Sequence, residues 1–307
     1  MGEPSYLALH RDGTLKNRVD EALACLAECR LCPRECGIDR LADERGFCGT
    51  GRYAKVASAG PHFGEEAPLV GRGGSGTIFF SSCNLLCSFC QNYDISHLKE
   101  GVKVDAGDLA LMMARLARSG CHNINFVTPT HVVPQILEGL LAAVEHGISI
   151  PLVYNTGGYE SLETLKLLDG VIDIYMPDFK FWDASRAERF CRAPDYRERA
   201  VDAIREMHRQ VGDLVLDADG IALRGLLVRH LVMPNDVAGT GEVMKFLAGR
   251  ISPDTYVNVM DQYRPCFRAD TDAMINRPVT GAEFRRAVEA AHEAGLTRLD
   301  PRKRLMM

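Results

Sequence analysis

No stretch of the 307-residue sequence approaches the run of about 18 apolar residues that a membrane span needs. Met1–Asn17 also lacks the apolar h-region of a signal peptide. Positive charge is in short supply: 36 Lys and Arg stand against 41 Asp and Glu, a net charge of −5. That balance offers no basic footprint for nucleic acid or an anionic membrane. The chain is therefore expected to be cytoplasmic, with neither nucleic acid nor membrane among its partners. Internal repeats and low-complexity tracts are missing too. Hydrophobic residues at 46% and charged residues at 25% make an ordinary globular balance and argue against disorder.

Cysteine, by contrast, is plentiful. Eleven cysteines are many for a compartment that keeps thiols reduced, and an odd count fits a closed disulfide framework poorly. They cluster. Cys25, Cys29, Cys32, Cys36 and Cys48 lie near the start, Cys83, Cys87 and Cys90 follow, and Cys121, Cys191 and Cys266 stand alone. Cysteines bunched at such short intervals point to metal.

Leu15–Cys29 carries a helical pattern, with Val19, Ala22, Leu23 and Leu26 on one face. From Arg30 to Gly76 periodicity is lost among Cys, Pro and Gly. Short apolar runs then alternate with helical stretches. Strands are expected at Thr77–Ser82, Asn123–Val127, Ile150–Tyr154, Val171–Met176, Leu226–Met233 and Tyr256–Met260. Helices are expected at Asp108–Ser119, Val132–His146, Glu160–Leu168, Ala184–Gln210, Gly241–Gly249 and Gly281–Ala294. This alternation predicts an α/β fold of βα units with a mainly parallel sheet. Leu214–Ala222 reads as an inserted hairpin. The expected division is a cysteine-rich extension over residues 1–72 and a main domain over 73–307.

The central segment is Thr77-Ile-Phe-Phe-Ser-Ser-Cys83-Asn-Leu-Leu-Cys87-Ser-Phe-Cys90-Gln-Asn. A strand delivers Cys83, and spacings of three and two residues bring the next two thiols onto the same loop. One loop can thus wrap three irons of a [4Fe–4S] cubane and leave the fourth without a protein ligand. An electron-transfer cluster takes four cysteines, whereas an open metal position chelates a small molecule. A zinc site, or core cysteines on a buried turn, are the other readings.

Cys-x3-Cys-x2-Cys with an aromatic, Phe89, before the last Cys resembles the signature of the radical S-adenosylmethionine (SAM) superfamily. The wider stretch from His62-Phe-Gly-Glu-Glu-Ala through Gly74-Ser-Gly-Thr-Ile-Phe-Phe to Cys90-Gln-Asn-Tyr is similar to a branch related to pyruvate formate-lyase activating enzyme. The resemblance implies a partial (β/α)6 barrel. It also implies that SAM binds the open iron and is cleaved reductively to a 5′-deoxyadenosyl radical that abstracts hydrogen. Flavodoxin or ferredoxin would serve as reductant, and the substrate would be a small molecule, a peptide or a glycyl-radical partner. No catalytic residue is assigned.

Ligands of parallel barrels lie at the carboxyl ends of strands. After the second strand comes Val127-Thr128-Pro129-Thr130-His131, where radical SAM enzymes carry a Gly-Gly-Glu-Pro-like turn against the SAM amino group. The third strand ends in Asn155-Thr156-Gly-Gly-Tyr159, whose two glycines permit close backbone approach. Met176-Pro-Asp178-Phe-Lys180 resembles the Asp-x-Lys motif of activating enzymes, in which an Asp-Thr pair and this second Asp hold a monovalent cation beside SAM. Asn155 stands in place of the first Asp. His230, in Arg229-His230-Leu-Val-Met233-Pro234, matches their SAM-contacting His. Gln262, in Asp261-Gln262-Tyr263-Arg264, and Phe89 complete the expected SAM contacts.

Cys29-Arg-Leu-Cys32-Pro-Arg-Glu-Cys36 and Cys48 supply four thiols, enough for a second [4Fe–4S] cluster or a structural zinc. Reduced structural cysteines are the plainer reading, and Cys25, one helical turn before Cys29, is a substitute ligand. A rival overall function is an Fe–S electron-transfer protein, or a zinc-dependent binding protein, without SAM chemistry.

Overall fold

The β-branched and aromatic runs form a parallel array in a computed structural model that describes residues 3–301. The strands are β1 (Ala54–His62), β2 (Ser75–Phe80), β3 (Val102–Val104), β4 (Ile124–Val127), β5 (Leu152–Thr156), β6 (Ile174–Pro177), β7 (Val215–Leu216), β8 (Ala222–Leu231) and β9 (Tyr256–Met260). β2, β4, β5, β6, β8 and β9 pair in that order, all parallel. β4, β5 and β6 are buried at every position, as strands covered on both faces must be. Helices Ala106–Arg118, Val133–Glu145, Leu162–Leu167, Tyr196–Val211 and Thr240–Phe246 return the chain between strands, and Gly281–Glu293 follows β9. Capping boxes at Asp105/Asp108 and Thr280/Glu283 begin the first and last of these helices. Among the described residues β2 and β9 do not pair, so the barrel stays open. β7 folds back on β8 as the expected hairpin.

Three expectations need correction. Residues 54–62 are not irregular: β1 pairs antiparallel with β2, and β3 with β1. Its small residues, Gly60 and Pro61 hide the alternation. Pro61 is tolerated because β3 covers only Ala54–Val56, which leaves its other edge without a partner strand. The boundary expected between residues 72 and 73 therefore falls inside a sheet pairing, and the irregular cysteine-rich part ends near Tyr53. The extreme ends of both expected domains, residues 1–2 and 302–307, lie outside the described residues. Finally, Ala184–Gln210 is two helices, Ala184–Cys191 and Tyr196–Val211, because Arg192 turns left-handed (φ 53°) ahead of Pro194.

The cysteine-rich part has little core of its own, only Leu26, Cys29 and Leu31 with Leu23 and Ile38 against them. It leans on the barrel at the carboxyl ends of β4 and β5. Thr164 Oγ1 donates to the Leu31 carbonyl (2.8 Å), Gln135 Nε2 to the Arg52 carbonyl (2.6 Å), and Arg52 pairs with Glu138 at 2.8 Å.

Candidate metal and cofactor sites

β2 runs directly into the loop of Cys83, Cys87 and Cys90. Ser82 (φ 77°) and Leu86 (φ 55°) both hold left-handed backbone there. Such conformations cost about 1–3 kcal/mol each and persist only where neighbours over-determine them. Here Ser82 N–H donates to Ile95, Ser88 N–H to Phe190 and Arg268 N–H to Ser88. The sulfurs are addressed individually. Leu85 N–H lies 3.4 Å from Cys83 Sγ, Ser96 Oγ 3.3 Å from Cys90 Sγ, and Cys191 Sγ 3.1 Å from Cys87 Sγ. Burial pushes the Cys83 thiol up to about 12 and raises Cys90. The Cys191 hydrogen bond, aided by burial, raises Cys87, while the Lys180 ammonium pulls the other way. Thiols this reluctant to ionise need a strong positive centre before they become thiolates, which bound iron supplies. Cys191 escaped the sequence reading because it ends a helix a hundred residues downstream, outside any motif.

The turn after β4 is strained. Thr128 has φ 60°, a genuine outlier for a β-branched residue, and its N–H donates to the Asn155 carbonyl at 2.9 Å. Pro129 leads into a 3₁₀ turn over Thr130–Val132. Thr130 is buried and hydrogen-bonds Thr156 and Glu160, and Thr156 also donates to Glu160. Glu160 further accepts from Tyr154 (3.1 Å), and its burial raises its pKa.

A second polar group lines the strand ends beside it. Arg229 Nε donates to Asp178 (2.8 Å) and Nη2 to Asn155 (2.7 Å), while Lys180 Nζ donates to Asp178 at 2.5 Å. Burial alone would raise Asp178, but Arg229 and Lys180 hold it below the usual carboxylate range. Burial works against both cations, yet Asp178 holds them above their ordinary values. Phe89 packs against Phe181 and Tyr263 with ring centroids 5.8 and 6.2 Å apart. Gln262 is exposed beside the cluster loop, and its carbonyl accepts from Gln91 Nε2 at 3.2 Å.

His230 does not join this set. Nδ1 lies 2.7 Å from the Phe179 carbonyl and Nε2 2.9 Å from Thr240 Oγ1, so both ring nitrogens are used in the helix layer. Strand residues alternate faces, and it is Arg229 that points to the polar strand ends. That alternation was the available signal for Arg229. The two glycines of β5's tail also serve the protein: a Cβ at Gly157 would stand 2.8 Å from Leu85, and one at Gly158 2.3 Å from the Asp178 carbonyl.

Cys29, Cys32, Cys36 and Cys48 line one small pocket with Arg40 and His131. Cys25 does not; its exposed thiol turns to the Glu21 carbonyl. Burial pushes the Cys32 thiol up to about 12. Arg34 ties the segment to the cluster loop, donating to the carbonyls of Asn84 (2.9 Å) and Cys191 (3.1 Å). Among the described residues, no three His, Cys, Asp or Glu side chains converge on a single-ion site.

The family model of the Radical SAM superfamily matches residues 77–219, from β2 through Lys180 to the β7 hairpin. An uncharacterized protein of Methanocaldococcus jannaschii is 32% identical over 289 residues, 91% of this chain and 78% of its own length. The chain belongs to the radical SAM superfamily. Arg229, His230 and the amino-terminal cysteines lie outside the matched segment. Among solved structures, HydG, a maturase of the [FeFe]-hydrogenase, is 15% identical with a TM-score of 0.49, over 72% of this radical SAM chain and 49% of its own. Methylornithine synthase is 15% identical with a TM-score of 0.46, over 76% and 74%.

Proposed function

We propose that this radical SAM protein is an enzyme that binds SAM at a [4Fe–4S] cluster held by Cys83, Cys87 and Cys90 and cleaves it reductively. The cluster loop carries the reading: three closely spaced thiols on a strained turn, each sulfur with its own polar neighbour. A cluster held by Cys83, Cys87 and Cys90 would supply the electron for reductive cleavage of SAM to a hydrogen-abstracting 5′-deoxyadenosyl radical. The chain's own residues hold and shield the reactants. Thr128, Pro129 and Thr130 offer the β4 turn to SAM, and Thr156 braces it through the shared Glu160. Asn155, Asp178, Lys180 and Arg229 form the polar wall, with Phe89 and Gln262 on the cluster side.

Arg229 takes the place of the monovalent cation of the activating enzymes. Its guanidinium bridges Asn155 and Asp178, which match two of the positions that hold the ion in those enzymes. SAM binding should accordingly be insensitive to exchanging sodium for potassium. A basic pocket beside the cluster loop, lined by Arg189, Arg192 and Arg268, suits an acidic electron donor such as flavodoxin or ferredoxin.

Cys29, Cys32, Cys36 and Cys48 hold a second iron–sulfur cluster on this reading. One zinc draws its sulfurs to about 2.3 Å of a common ion, whereas a cubane spreads its thiolates over separate irons. A chain that already assembles one cluster can use a second to relay electrons or bind substrate, which favours the cubane over zinc. The anaerobically reconstituted enzyme should hold about eight irons, and a Cys83→Ala/Cys87→Ala/Cys90→Ala variant about four. SAM should shift the electron paramagnetic resonance spectrum of the reduced enzyme and not that of the triple variant. A SAM-indifferent spectrum in the intact protein would contradict the first site; a metal-free triple variant, the second.

A further inference from the structure

Two polar side chains at the four-cysteine cavity are more deeply buried than any of its thiols. Arg40 and His131 are each only 1% exposed, and both line the cavity. Arg40 donates through Nε and Nη2 to the Gly51 carbonyl (3.0 and 2.9 Å) and through Nη1 to the His131 carbonyl (2.9 Å). Nη1 also donates to Cys29 Sγ at 3.8 Å. Every partner is neutral, and among the described residues no carboxylate comes within ion-pairing distance. A guanidinium stays charged, and an uncompensated buried charge is strongly unfavourable. Neutral thiols do not compensate it; thiolates on a metal centre do.

His131 carries the second observation. Nε2 lies 2.9 Å from the Ser81 carbonyl, which can only accept, so Nε2 bears the proton. That leaves a lone pair on Nδ1, and Nδ1 is buried without a hydrogen-bond partner. An imidazole with one N–H fixed on a backbone carbonyl and the other nitrogen open is the arrangement metal-ligating histidines adopt.

We propose that His131 Nδ1 ligates an iron of the cluster in the four-cysteine cavity, and that Arg40 balances the charge of its thiolates. The proposal rests on the second-cluster reading given above. It has a structural consequence. His131 directly follows the Thr128-Pro129-Thr130 turn, and its Nε2–H holds the carbonyl of Ser81, two residues before Cys83. Loading the second cluster thus fixes one residue that borders both the SAM turn and the first cluster loop. An imidazole on one iron also leaves one of the four cysteines dispensable.

The test uses the full-length triple variant lacking Cys83, Cys87 and Cys90, reduced and grown with ¹⁵N-histidine. Electron–nuclear double resonance should show the hyperfine coupling of an iron-bound imidazole nitrogen. Adding His131→Gln, whose amide can still donate to Ser81, should remove that coupling and lower the midpoint potential, since imidazole ligation raises it. Iron present without the nitrogen coupling overturns the proposal and leaves the second cluster standing. Absence of iron overturns both. Should the triple variant fold poorly, the intact SAM-bound enzyme gives the same readout, because SAM carries unlabelled nitrogen.

Discussion

Arg229 and His230 are adjacent residues with opposite roles. Arg229 joins Asp178 and Asn155 at the strand ends, whereas His230 is locked between Phe179 and Thr240 in the helix layer. Asp178→Asn and Arg229→Ala should each weaken SAM binding at least about tenfold with iron content unchanged, since each removes a charge-assisted bond. His230→Gln should leave SAM affinity alone and change acid stability. Burial depresses His230 from 6.5 to about 4. The unfolded chain therefore gains a proton below pH 6.5 that the folded chain refuses until about pH 4. Stability from this group is complete above pH 6.5 and is lost as pH falls towards 4. Thermal unfolding across that window should be less pH-dependent in His230→Gln than in the wild type. An unaltered acid limb with lost SAM affinity would return His230 to the site.

At the scale of elements, what the sequence discloses depends on how it covers its strands. β9 matches its expected bounds, and β2, β4, β5 and β6 lie within a few residues of theirs, because strands buried on both faces read as continuous apolar runs. β1 does not: its register shifts between Val56 and Ser58, and Gly60 and Pro61 break the pattern. The cluster loop was legible because its three thiols sit on one turn. Arg40, Cys191, His131's open nitrogen and the Arg229 bridge depend on contacts between distant elements, which spacing cannot encode. Thr128 was visible as a turn residue but not as a strained one. Placing Gly in a regular element costs about 0.5–1 kcal/mol. Thr128→Gly should instead be neutral or stabilising by up to about 1 kcal/mol in denaturant unfolding, since it relieves the left-handed backbone. A clear loss of stability would mean that the threonine side chain outweighs the strain.

Across the whole molecule, the open barrel and the cysteine-rich segment present their thiols to the same region. Arg34 joins them through the carbonyls of Asn84 and Cys191, and the segment covers the carboxyl ends of β4 and β5. Its small core explains why it is built against the barrel rather than beside it. The chemistry assigned to that shared region is reductive cleavage of SAM. The most direct measurement is chromatography of the anaerobic, fully reconstituted protein incubated with SAM and dithionite. Formation of 5′-deoxyadenosine and methionine, abolished in the Cys83→Ala/Cys87→Ala/Cys90→Ala variant, is the expected result. No 5′-deoxyadenosine from protein whose cluster has been verified by spectroscopy would contradict it.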